Sequence, residues 1–199
     1  MAAKKKITLN RRDVVSRIIR DRGRVLIVTG LGSTTWDAAA AGDHPNNFYL
    51  WGGMGGAAVT GLGLARAQPG RRVIVLTGDG EMLMGIGSLA TIGVAAPPNL
   101  AICVIDNQRY GETGMQETHT GYGVDLAAMA AGAGFAHTET VWTKKDVESA
   151  IPNLYETEGP VFVDIKVNTD YVPMVLPMRD GTAIRSRFRE AVLGGRAFD

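Results

Sequence analysis

The sequence predicts an α/β protein, a three-layer sandwich with a mainly parallel central sheet, and three observations carry that prediction. Apolar runs rich in β-branched residues recur along the chain. Helix-like stretches separate them, the alternation expected of a parallel sheet covered on both faces. The 199 residues, 45% hydrophobic and 21% charged, suffice for one sizeable core, which makes a single domain the natural unit.

The elements follow in order. Apolar spacing predicts a helix over residues 11–20, then a strand over 24–28. A glycine-rich segment leads into a helix over 55–67, followed by a strand at 73–76, a helix over 82–94 and a strand at 100–105. Helices at 126–133 and 144–156 flank a short strand at 136–141, and a strand at 161–167 precedes a last helix near 184–192. Thr143 is placed to cap the 144–156 helix, with Asp146 three residues on as the return partner. No repeat, low-complexity stretch or linker interrupts this order, so one domain is expected over 11–199 behind a flexible tail at 1–10.

Composition excludes several function classes. A formal net charge of +1 gives no general reason to expect nucleic acid or an anionic membrane as partner, and the basic tract at 4–6 is short. No apolar run reaches the ~18–20 residues of a membrane span and the N-terminus lacks a signal-peptide core, which predicts a cytoplasmic protein. The single Cys103 sits in the 100–105 strand and reads as core; alone it forms no internal disulfide or iron–sulfur site.

Ligands of doubly wound sheets gather beyond the carboxyl ends of the strands, which directs attention to the loops after Leu76 and Ile105. The first reads Thr77-Gly78-Asp79-Gly80-Glu81 and presents one carboxylate between two glycines at the start of a helix, as a metal-bridged diphosphate requires. The second, Asp106-Asn107-Gln108-Arg109-Tyr110, should fall on the same rim, because consecutive parallel strands tend to be neighbours. Mg²⁺ takes hard oxygen ligands, commonly one or two from protein with phosphate supplying others. Taken alone, Gly-Asp-Gly also reads as a tight turn, and the glycine segment also fits a loose dinucleotide pattern. That second fit lacks an acidic residue about 20 positions on, where Arg71 and Arg72 stand.

Together, Gly78-Asp79-Gly80, a helix and a strand, and the Asn107 turn resemble the signature of thiamine diphosphate (TPP) dependent enzymes, specifically their diphosphate-binding (PP) domain. Trp51-Gly52-Gly53-Met54-Gly55-Gly56 resembles a second segment of that family. The resemblance covers most of the chain. It implies Mg²⁺ held by the side chains of Asp79 and Asn107 and the carbonyl of Arg109. It also implies a cofactor surrounded by Gly52, Gly53, Met54, Gly78, Asp79, Gly80, Glu81, Asn107, Tyr110, Gly111 and Glu112. Backbone groups of Gly52 and Met54 would bind the aminopyrimidine and the Met54 side chain would support its bent form; core packing is the alternative for Met54.

The sequence departs from the family at Asp106, Glu81 and Arg109, where Asn, Ser or Ala, and Gly are common. Asp106 is either a competing metal ligand or a turn carboxylate holding nearby amides. Glu81 either meets the cofactor or caps its helix. Thr118 and His119 are candidate catalytic residues and, with Thr113, candidate substrate contacts on the loop after the metal turn; His119 either relays a proton or is an exposed loop histidine with no role. His44 and His137 read as structural or solvent-facing. Arg179, Arg185, Arg187 and Arg189 either offer a guanidinium to an anionic substrate or form a solvated helix face, with 168–199 expected to cover the site.

In this family a Glu from a separate pyrimidine-binding domain activates the cofactor, and one diphosphate-binding domain accounts for nearly all of the chain. The resemblance therefore implies a partner subunit carrying that Glu, a site shared between chains and an α₂β₂ or larger heteromer. Asn46-Asn47-Phe48-Tyr49-Leu50, residues 85–92 and Tyr110-Gly111-Glu112-Thr113-Gly114 resemble the second subunit or C-terminal half of sulfopyruvate and phosphonopyruvate decarboxylases. That implies non-oxidative CO₂ release from an anionic 2-oxoacid to give an aldehyde. A carboligase, a 2-oxoacid dehydrogenase component and a non-catalytic scaffolding subunit are the alternatives.

Overall fold

The computed structural model describes residues 6–198. Six parallel strands form the central sheet: β1 (Leu26–Thr29), β2 (Asn47–Tyr49), β3 (Val73–Gly78), β4 (Leu100–Asp106), β7 (His137–Val141) and β8 (Val161–Lys166). Their order is β2-β1-β3-β4-β8-β7, and every pairing among them is parallel. A two-stranded antiparallel hairpin, β5 (Arg109–Tyr110) with β6 (Gln116–Glu117), stands outside the sheet.

Alternate residues of each strand feed two cores, as strand geometry requires. Ile74, Leu76, Cys103 and Ile105 face α1 (Arg11–Ile19), α2 (Ser33–Ala40) and α7 (Lys144–Glu156). Val73, Val75, Ile102 and Val104 face α3 (Ala57–Ala67), α4 (Asp79–Met84), α5 (Ser88–Ala95) and α6 (Leu126–Gly132). Both faces are therefore covered, and the three-layer expectation holds. The last helix, α8 (Gly181–Leu193), closes the β2 edge through Phe188, whose ring lies 5.3 Å from that of Phe48. Thr143 and Asp146 form the expected reciprocal cap of α7.

Three features differ from the sequence expectation. The helix anticipated at 82–94 is two helices, α4 and α5, broken across Gly85–Gly87 because Gly85 lies against the backbone of Gly55. Helix α2 and strand β2 had no sequence signal: α2 starts at Gly32 (φ 77°) without a side-chain cap, and β2 is only three residues long. The tail expected at 1–10 is packed by its end, with Leu9 buried, its carbonyl accepting the Asn168 N–H at 2.7 Å, and Asn10 capping α1; residues 1–5 lie outside the described residues. Among the described residues no helix is long and apolar enough to cross a membrane.

Candidate functional site

Adjacent pairing of β3 and β4 brings Gly78 opposite Ile105, so the two loops singled out by sequence leave the same rim of the sheet. There they border a cavity of about 550 Å³. Its floor carries Gly78, Asp79, Gly80, Glu81 and Asn107; Arg109, Tyr110, Gly111 and Glu112 of the hairpin region form one wall, and Met54 reaches it from the glycine segment. Gly52 and Gly53 belong to that segment but not to the cavity lining. Arg11, Gly32, Ser33 and Trp36 line another side, and Asn168, Thr169, Asp170, Tyr171, Val172 and Met174 cross as a strap after β8.

Asp79 is the first residue of α4 and 2% exposed. The Thr118 hydroxyl donates to Oδ2 at 2.5 Å, and the Thr120 hydroxyl, whose proton is directed to the nearer Asp106, lies 3.3 Å from the same oxygen; Oδ1 has no side-chain donor among the described residues. Burial, then the neighbouring charge of Asp106, pushes the Asp79 carboxyl up to about 7, against the pull of Thr118, its own amide and Thr120. Asn107 turns its Oδ1 toward the Arg109 N–H (2.9 Å), which still leaves acceptor capacity on that oxygen. The Gln108 carbonyl accepts from Thr118 and the Tyr110 carbonyl from Met115, so strand alternation turns the intervening Arg109 carbonyl away from β6.

Asp106 is fully buried and occupied. Its Oδ1 accepts from the Gln108 N–H (2.8 Å) and the Thr120 hydroxyl (2.9 Å), and its Oδ2 meets Lys166 Nζ. It holds the turn, as one of its two readings expected, and the hydroxyl that it shares with Asp79 joins the two carboxylates in one network. Lys166 Nζ also stands 2.8 Å from Asp164 Oδ2, yet neither oxygen of Asp164 has a well-aligned hydrogen-bond donor. Burial, then Asp106, pushes Asp164 up to about 7. Burial works against the Lys166 charge, but Asp164 and Asp106 outweigh it and raise its pKa.

Glu81 neither caps α4 from outside nor stands free in the cavity. It is 5% exposed, accepts from the Thr77 hydroxyl at 2.8 Å, and fills the space where a side chain at Gly30 would be. Burial raises its carboxyl above the usual range, opposed by Thr77 and by the amides of Ala57, Leu31 and Gly55. The carboxylate thus lies among the loop after β1, the glycine segment and the Asp79 turn, with Oε2 held by Thr77 and Oε1 buried without a well-aligned donor. Tyr110 packs on Gly80, where an added Cβ would lie 2.5 Å from the ring.

Thr118 and His119 do not line the cavity. Thr118 is buried beneath Asp79, whose carboxylate it hydrogen-bonds; His119 is exposed at the start of a short 3-10 turn. Thr113 does line the cavity. Arg179, Arg185, Arg187 and Arg189 do not, and Arg187 pairs with Asp43 at 2.5 Å. Arg11, Thr120, Asp164 and Lys166 are additions that no sequence motif announced.

The donor set fits Mg²⁺ with a diphosphate. Among the described residues no cluster of three or more His, Cys, Asp or Glu could hold a metal unaided. One carboxylate, one amide oxygen and one carbonyl would supply part of the oxygen set that Mg²⁺ takes, with phosphate oxygens supplying others.

Residues 30–165 match the family described as thiamine pyrophosphate enzyme, C-terminal TPP binding domain, and the chain belongs to that family. It is 35% identical to the sulfopyruvate decarboxylase subunit beta of Methanocaldococcus jannaschii, over 87% of this chain and 96% of that one. Against the same subunit of Methanothermobacter thermautotrophicus the identity is 34%, covering 94% and 97%. With the phosphonopyruvate decarboxylase of Streptomyces viridochromogenes it shares 38% identity over 71% of this chain but 35% of that longer protein. The fold is also that of benzoylformate decarboxylase from Polynucleobacter necessarius, with a TM-score of 0.66 at 17% identity over 82% of this chain and 33% of that one.

Proposed function

We propose that the chain is the diphosphate- and Mg²⁺-binding subunit of a thiamine diphosphate-dependent decarboxylase acting on an anionic 2-oxoacid, of the sulfopyruvate or phosphonopyruvate kind, with aldehyde as product. The observation that carries the proposal is the placement of Asp79 and Asn107 on adjacent strand ends in one cavity, on a chain that spans nearly the whole of two sulfopyruvate decarboxylase beta subunits.

When bound, the cofactor supplies the electron sink for breaking the bond to CO₂. Asp79, Asn107 and the Arg109 carbonyl hold the metal that anchors its diphosphate. Thr118 fixes the Asp79 carboxylate, Glu81 lies among the three loops around it, and Met54 with the glycine segment supports the pyrimidine end. Tyr110 and the 168–174 strap exclude water from the cavity.

The activating Glu belongs to a pyrimidine-binding alpha subunit, so turnover requires both chains, in an α₂β₂ or larger assembly. The complex is read as cytoplasmic; the buried free thiol of Cys103 agrees with a reducing compartment. Asp79→Ala tests the proposal in the two-chain complex. Mg²⁺-dependent TPP affinity and CO₂ release are expected to fall by at least about 100-fold while the chains stay associated. Unchanged turnover would overturn it.

A further inference from the structure

Arg11, the first residue of α1, lines the cavity with its side chain 12% exposed. Its neighbour Arg12 shares the same counter-ion: Arg11 Nη1 pairs with Oδ2 of Asp37, and Arg12 Nε with Oδ1 at 3.0 Å. Asp37 is fully buried, so two guanidiniums lean on one carboxylate and one positive charge is left over at the cavity wall.

The remaining donors of Arg11 are committed on one side only. Nη1 also donates to the Ser33 carbonyl at 3.3 Å, and Nη2 to the Val172 carbonyl of the strap at 3.5 Å. Nε has no acceptor among the described residues, and Nη2 has only that long contact. Nε and Nη2 together form the edge that receives two oxygens of one anion side by side. The cavity's other guanidinium is engaged: Arg109 Nη1 lies 2.7 Å from Glu117 Oε1 and donates to the Gln108 carbonyl at 3.0 Å.

We infer that Arg11 is the specificity residue of this site, its Nε–Nη2 edge selecting 2-oxoacids that carry a second anionic group such as a sulfonate or phosphonate. The inference rests on the decarboxylase reading above. Arg11 enters from α1 rather than from the β3–β4 rim that carries the metal ligands, and TPP affinity measured beside turnover separates a role at the substrate from one at the cofactor's diphosphate.

The test uses the complete two-subunit complex with Mg²⁺ and TPP. Decarboxylation of sulfopyruvate, phosphonopyruvate and pyruvate is compared for the unaltered chain, Arg11→Gln, Arg11→Lys and Arg12→Gln, with TPP affinity measured in parallel. Arg11→Gln is expected to lower kcat/KM for the two dianionic substrates by about 100-fold, mainly through KM, with pyruvate changed less than about twofold and TPP affinity retained. Arg11→Lys keeps a charge for Asp37 and should lose most of the preference while remaining folded, and Arg12→Gln should keep the preference. An equal loss on all three substrates, or weakened TPP binding with the substrate ratio intact, would overturn the inference. An unaltered complex that releases CO₂ from none of these acids would overturn the decarboxylase reading itself, and this inference with it.

Discussion

Three buried carboxylates and one ammonium lie under the metal turn, and their balance sets the behaviour of the site. Asp79 and Asp164 are both pushed up to about 7, first by burial and then by Asp106. Ordinary carboxyls titrate near 3.9. The native chain therefore binds more protons than the unfolded chain between about pH 4 and 7, and these groups make stability fall as pH rises through that window. Thermal unfolding of the chain without cofactor at pH 5, 6 and 7.5 should show this contribution, and Asp164→Asn should flatten the slope; a variant with an unaltered slope would contradict the assignment. Lys166→Met leaves Asp106 and Asp164 buried without their cation, a change that costs about 3–5 kcal/mol in comparable sites. Urea unfolding checks it, and a loss below 1 kcal/mol would mean that the pairs are not buried as described.

Among the secondary elements, the site depends on a close approach of two backbones. An added Cβ at Gly85 would lie 2.1 Å from the Gly55 carbonyl oxygen, so the α4–α5 break and the glycine segment bearing Met54 are in register only because Gly85 has no side chain. Gly85→Ala should cost about 1–3 kcal/mol through overpacking and weaken TPP binding. Gly87→Ala, where an added methyl group meets nothing within 4 Å, should do neither. Equal effects at both positions, read by thermal shift and TPP titration, would argue against this account of the break. Periodicity made the long elements and the Asp79 and Asn107 rim legible, because each depends on local pattern and strand order. It missed α2, whose Gly32 start has no side-chain cap, and split no helix at Gly85, because the contact with Gly55 spans thirty positions of sequence. Arg11, Asp164 and Lys166 were illegible for the same reason: their partners come from distant elements. The C-terminal arginines failed as candidates because α8 turns away to the β2 edge, leaving only the strap over the cavity.

At the scale of the whole molecule, the chain holds one half of what a thiamine enzyme needs. The strap itself carries an exposed apolar run, with Tyr171 88% and Met174 57% exposed at the cavity and Leu176 47% exposed beyond it, the character of a surface that another chain covers. Together with the beta-subunit relatives, this supports a site completed by a partner. Native mass spectrometry of the tagged chain purified from its own host, with Mg²⁺ and TPP kept in the buffer, tests that most directly. A complex containing a second, different polypeptide and bound TPP, in an even-numbered assembly, is the expected result. A chain that appears only with copies of itself and carries no TPP would contradict the shared site.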